Sequence, residues 1–125
     1  MDAATKEFVR RRAEYRCEYC RLPAEDSLVA PFQIEHIVPK KHDGSDDADN
    51  LALACAHCNR HKGPNLAGFD PETGEISVLF DPRRMTWDDH FQSEGVRVVG
   101  VSAIGRTTVR VLNMDSPRRF GIFDD

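Results

Sequence analysis

Four cysteines in two pairs of matched spacing constrain this chain more than any other feature. Cys17 and Cys20 form CEYC, Cys55 and Cys58 form CAHC, and the chain has no other cysteine. Two thiolates separated by two residues in a tight turn clamp one side of a tetrahedral Zn²⁺, and a second such pair completes the tetrahedron. A site closed by four sulfurs has no open position for chemistry, so its role is structural. Disulfides and redox thiols are the alternatives. A reducing interior disfavours the first, and redox C-x-x-C motifs seldom come as two matched pairs in so short a chain. Residues 21–54, between the pairs, are more than a simple zinc ribbon needs. They must be held out as a loop or hairpin, and that insert is where chemistry would sit.

At 125 residues with 40% hydrophobic and 30% charged side chains, the chain has the balance of one soluble globular domain rather than a disordered one. Its core is modest, and a structural metal would support it. No apolar run approaches the roughly 20 residues that span a bilayer. The opening MDAATKEFVRRRAEYR lacks the apolar stretch of a signal peptide, so the expected location is cytoplasmic, away from any membrane. The net charge of −4 excludes a globally basic nucleic-acid binder. Even so, Arg10, Arg11, Arg12 and Arg16 cluster early, Arg60, His61 and Lys62 in the middle, and Arg83, Arg84, Arg118 and Arg119 later. The acids gather elsewhere, at Asp43, Asp46, Asp47 and Asp49. A locally basic face can coexist with a negative total.

Along the chain, residues from about Ala3 to Tyr15 read as a helix with Ala4, Phe8 and Tyr15 on one face. Phe32–Val38 (FQIEHIV) is a short strand-like run between Pro31 and Pro39. Lys40–Asp49 is a polar loop containing glycine, and Asn50–Ala54 leads into the second cysteine pair. A helix begins near Cys55 and runs to about Lys62, where Gly63-Pro64 stops it. Further on, Phe69–Glu75 reads as a turn and Ile76–Phe80 as a strand with Ile76, Val78 and Phe80 on one side. Thr86 would cap a short helix from Trp87 to Phe91, with Asp89 in the N3 position. Val96–Val101 reads as another strand. Thr107–Leu112 fits strand or helix, and Ser102 as a cap favours helix.

Glu35-His36, followed by Asn50 and then Asn59, is the sharpest local constellation. Cleaving a phosphodiester requires a base to take a proton from the attacking water, which suits a histidine of near-neutral pKa. It also requires positive charge at the phosphoryl and leaving oxygens, which suits a hard divalent cation with oxygen ligands. On a strand, Glu35 and His36 point to opposite faces, so they can play separate roles in one site only if the backbone bends locally, which a strand end against Pro39 permits.

IEHIVP, NLALAC and CNRHKG, bracketed by CEYC and CAHC, resemble the zinc-containing branch of the HNH endonucleases over about Cys17–Gly63. The resemblance implies a ββα-metal core within an α+β fold, stapled by the four-cysteine zinc site, with an N-terminal helix and a small C-terminal α+β extension. Residues 1–66 would form the nuclease core, and 67–125 an extension packed on it in the same domain. By motif position, His36 would be the general base and Asn50 would orient its ring through the side-chain amide. Glu35 and Asn59 would hold the catalytic cation. Glu35 stands where Asp is frequent, and Asn59 where His is common. An amide oxygen favours Mg²⁺ or Mn²⁺ over softer ions. The implied substrate is double-stranded DNA, held through phosphates by Arg60, His61 and Lys62, with products carrying a 5′ phosphate. A zinc-stapled nucleic-acid-binding module without catalysis is the alternative. His57 and His42 read as bystanders, and Asp88, Asp89 and His90 as helix-start residues. FDPETGE, LFDPR, WDDHF and IGR resemble an extension found attached to HNH domains.

Overall fold

A computed structural model of the chain describes residues 1–27 and 30–120. Helix α1 (Ala3–Arg12) starts on Asp2, whose side chain accepts from the Thr5 amide at 2.8 Å, and ends on three arginines that suit the negative end of the helix dipole. Its buried face is not the expected one. Phe8 and Tyr15 are exposed, while Val9 and Ala13 turn inward. The helix stops at Arg12 and the backbone turns left-handed at Glu14 and Tyr15 (φ 56° at each), so Tyr15 never joins a helical stripe. Val9 and Ala13, four residues apart, instead pack against Leu51 and Leu53.

Strand β1 (Gln33–His36) pairs antiparallel with β2 (Leu51–Ala54), Glu35 opposite Ala52 and His36 opposite Leu51. Every residue of β2 is buried. It runs into helix α2 (Ala56–Lys62), whose cap is Cys55, with its sulfur accepting from the Cys58 amide. Gly63 closes α2 at φ 50°. This is the expected strand–loop–strand–helix order.

The second half adds two more hairpins and a helix. Strands β3 (Ala67–Phe69) and β4 (Ile76–Val78) flank the FDPETGE turn, and β5 (Phe91–Glu94) pairs with β6 (Arg97–Gly100). Helix α3 (Ala103–Val111) settles the ambiguous stretch: the Ser102 hydroxyl accepts from the Gly105 amide at 3.0 Å. Gly105 is required there, since a Cβ would lie 1.8 Å from the His90 carbonyl oxygen. Two expectations change. Ile76 and Val78 are exposed although Phe80 is buried, because Gly68 on the other face of the hairpin seats against Thr107 and Val111 of α3. The expected Trp87–Phe91 helix is only a 3-10 turn (Trp87–Asp89), with no cap bond from the Thr86 side chain. Phe91 leaves it to begin β5 and stack on Trp87, with ring centroids 5.1 Å apart.

One apolar core joins the two halves. Tyr19, Leu22 and the four cysteines share it with Phe80, Trp87, Phe91, Leu112 and Met114, and the Trp87 indole donates to the Tyr19 carbonyl at 2.8 Å. Asp70, buried in the FDPETGE turn, accepts from Arg106 of α3 at 2.8 and 3.0 Å, so the turn and the IGR segment form one clamp. The molecule is thus an α+β fold built on a cysteine-stapled ββα unit. Among the described residues, no helix is long and apolar enough to cross a membrane.

Candidate functional site

The four sulfurs converge. All lie within 4.8 Å of one another and all four residues are buried and free of disulfides. A tetrahedron with Zn–S bonds of about 2.3 Å has edges of about 3.8 Å. The Cys20 and Cys55 sulfurs stand 3.8 Å apart, far beyond a disulfide bond and at that edge length. Within each pair a backbone amide points at the first sulfur, Cys20 to Cys17 at 3.5 Å and Cys58 to Cys55 at 3.4 Å. The quartet therefore fits a structural Zn²⁺ on donor type, spacing and enclosure. His57 takes no part in it. Its Nε2 bonds the Asn113 carbonyl at 2.8 Å.

Adjacent to this staple, β1 presents two faces. On one, Glu35 is buried, and both of its oxygens are engaged. Oε1 accepts from the Tyr19 hydroxyl, and Oε2 lies 3.2 Å from the Lys62 ammonium. Lys62 also donates to the carbonyls of Ile37 (3.0 Å) and His36 (3.3 Å), so its three N–H groups have three acceptors. Burial pushes the Glu35 carboxyl up from its ordinary value, while Lys62 and the Tyr19 hydroxyl work against that shift. Two of the expected site residues stand in other contacts here. Lys62 does not face a phosphate, because it is enclosed and fully bonded. Glu35 does not fit a catalytic cation, because its carboxylate is closed off and already neutralised by an ammonium. Asn59, half-buried on α2, donates through Nδ2 to the Gln33 side chain.

His36 lies on the other face, half-buried, at the end of β1. Its Nε2 is 2.7 Å from Asp46 Oδ1, and Lys40 Nζ reaches the same oxygen at 3.0 Å. The hydrogen bonds from His36 and then Lys40 hold the Asp46 carboxyl down at about 2. Asp46 is therefore ionised at neutral pH and can only accept. It follows that Nε2 carries the proton and a neutral His36 has its lone pair on Nδ1.

Asn50 builds the loop that delivers Asp46. Its Oδ1 accepts from the Val38 amide at 2.9 Å, and its Nδ2 donates to the carbonyls of Val38 (3.0 Å) and Ser45 (2.8 Å). Gly44 packs so closely on Val38 that a Cβ would lie 1.6 Å from its carbonyl oxygen. The Asn50 side-chain amide thus holds the backbone of the loop that follows His36, with one bond accepted and two donated, and any orienting of the His36 ring runs through that loop. Of the residues expected to meet phosphate, Arg60 is exposed and His61 is half-buried against His57, with ring centroids 4.4 Å apart. Burial, then the neighbouring His57 and Arg60, lowers the His61 pKa. From the other basic clusters, Arg83 turns inward to Glu18 and Arg119 to the Val96 carbonyl.

Asp46 and Tyr19 were not singled out by sequence reasoning. Asp46 is one of several acids in a polar loop, and Tyr19 sits between two cysteines whose spacing draws the attention. Residues 17–65 match the family HNH endonuclease. No curated protein and no solved structure matches the chain.

Proposed function

We propose, from the HNH domain that residues 17–65 form, that this chain is an endonuclease hydrolysing DNA phosphodiester bonds with His36 as general base. The observation that carries the reading is the state of His36. It is half-buried at a strand end, and its Nε2 lies 2.7 Å from the Asp46 carboxylate, a pairing that leaves Nδ1 as the ring nitrogen able to take a proton. Nδ1 takes a proton from water, and the water oxygen bonds to phosphorus as the bond from phosphorus to the 3′ oxygen breaks. The products are a 3′ hydroxyl, once protonated, and a 5′ phosphate.

The resemblance implies Mg²⁺ or Mn²⁺ at the leaving oxygen, where it would neutralise developing charge. With Glu35 closed against Lys62, no step is routed through that ion. The substrate in this reading is double-stranded DNA, met through phosphates by exposed arginines such as Arg60. Residues 1–66 serve as the nuclease core and 67–125 as its extension, which the shared core around Tyr19, Trp87 and Leu112 supports. The closure of Glu35 also favours a second reading, a zinc-stapled nucleic-acid-binding module without catalysis.

Supercoiled plasmid incubated with the zinc-loaded protein in Mg²⁺, Mn²⁺ or EDTA separates the two. Nicking that disappears in His36→Ala is expected. Equal nicking by both proteins overturns the enzyme reading, and plasmid retardation without nicking selects the binding module.

A further inference from the structure

We propose that Asp46 is a positioning residue for His36, holding the imidazole by its Nε2–H so that Nδ1 faces the reacting water, and that Asn50 acts on the chemistry only by shaping the loop that carries Asp46. The proposal rests on the general-base reading of His36 above and names what sets that base.

The geometry runs through three steps. Asn50 bonds both sides of the loop, Val38 at its start and Ser45 just before Asp46. Gly44 allows the loop to close on Val38 with no room for a side chain. Asp46 then lies across His36, 10 residues away in sequence and 2.7 Å away in space. Lys40 approaches the same Asp46 oxygen from the loop's first turn at 3.0 Å, fixing the carboxylate from a second direction. The other charges around His36 are Glu35 beside it on β1 and Lys62 at its carbonyl, and those two pair with each other. The facing charge that is left for the ring is Asp46.

A carboxylate in this position does two things. It selects one tautomer of the neutral ring, and it stabilises the imidazolium that forms when Nδ1 takes the water proton. The proton moves from water to Nδ1, the Nε2 proton stays in place, and Asp46 remains ionised throughout. A chance surface contact would do neither.

The test uses the full zinc-loaded chain with Asp46→Ala, Asp46→Asn and Asp46→Glu. Asp46 is 51% exposed in its side chain, so all three should keep their zinc content and a cooperative melt, with at most a small drop in melting temperature. On plasmid with Mg²⁺ or Mn²⁺, kcat should fall on the order of 10- to 100-fold in Asp46→Ala and Asp46→Asn, as for removal of a histidine's outer partner. KM should stay within about twofold, since no phosphate contact is lost, and Asp46→Glu should recover part of the rate. Nitrogen-15 NMR should show the Nε2–H tautomer of His36 in the wild type and a mixture in Asp46→Ala. Unchanged kcat and an unchanged tautomer in Asp46→Ala overturn the proposal while leaving the nuclease reading intact. A wild type that cleaves nothing overturns the nuclease reading. The tautomer then still decides whether Asp46 holds the ring, and a wild type in the Nδ1–H form overturns that hold as well.

Discussion

Glu35 and His36 are neighbours on one strand, and each meets a partner of opposite charge type, yet the two pairs have opposite fates. The Glu35–Lys62 pair is enclosed, with side chains 5% and 3% exposed, whereas His36 and Asp46 are 22% and 51% exposed. The first pair ties β1 to α2 and reaches Tyr19 in the zinc staple. It can be broken only at the cost of stranding a charge in a poor solvent. The second pair lies where water and a substrate can reach it, and its charges are screened. In the proposed reading, the same alternation that separates the two residues on a strand separates framework from chemistry. A motif reading treats Glu35-His36 as one catalytic unit. The structure gives the two residues different partners, Lys62 for the buried carboxylate and Asp46 from the loop for the histidine.

Removing the staple should erase the comparison altogether. Cys17→Ser leaves three sulfurs and should lose the bound zinc. Structural zinc contributes on the order of 10 kcal/mol, as much as a domain's whole stability. The expected outcome is an unfolded chain at 37 °C, seen as loss of zinc by elemental analysis and loss of the cooperative melt by circular dichroism. A variant that stays folded with full zinc refutes the structural site.

Lys62→Met should strike only the buried pair. Stranding Glu35 should cost about 3–5 kcal/mol, measured by urea denaturation with zinc present. The double variant Glu35→Gln with Lys62→Met should recover much of that loss, because no buried charge is then left alone. If the single variant costs under about 1 kcal/mol, or if Glu35→Gln weakens Mn²⁺ binding while the fold is untouched, Glu35 is a cation ligand after all and the division of roles fails.

The sequence makes the local features legible and the pairings opaque. The cysteine pairs, the β1–β2–α2 order, the Gly63 stop and the Ser102 cap all depend on residues within a turn or a strand of one another. Periodicity and capping chemistry carry that information. The end of α1 is set by the left-handed turn at Glu14 and Tyr15, which no apolar pattern announces. At Trp87–Phe91, packing of Phe91 against Trp87 and Phe80 outweighs a capping pattern. Glu35 with Lys62, and His36 with Asp46, are pairs between different elements. Nothing in the composition of a KKHDGSDDAD loop says which acid turns back to the strand. That depends on where Asn50 bonds and on Gly44 fitting against Val38.

The smallest expected effect sharpens the comparison from the exposed side. Asp46 has its carboxyl held down at about 2 by His36 and Lys40. A carboxylate with a depressed folded-state pKa adds stability above its unfolded value near 3.9. That contribution shrinks as pH falls through the interval and is gone below about 2. Wild type and Asp46→Asn should therefore differ slightly at pH 6, and their melting temperatures should draw together as pH falls over the range in which zinc stays bound. The difference at pH 6 should also shrink on raising the salt from 0.05 to about 0.5 M, since exposed pairs are screened. The Glu35–Lys62 pair should show no comparable salt response, because water and ions do not reach it. Thermal melts across pH and salt on the two sets of variants check this directly. A loss in Asp46→Asn as large as that in Lys62→Met, or one indifferent to salt, would make His36–Asp46 a framework contact and remove the basis for assigning it to the chemistry.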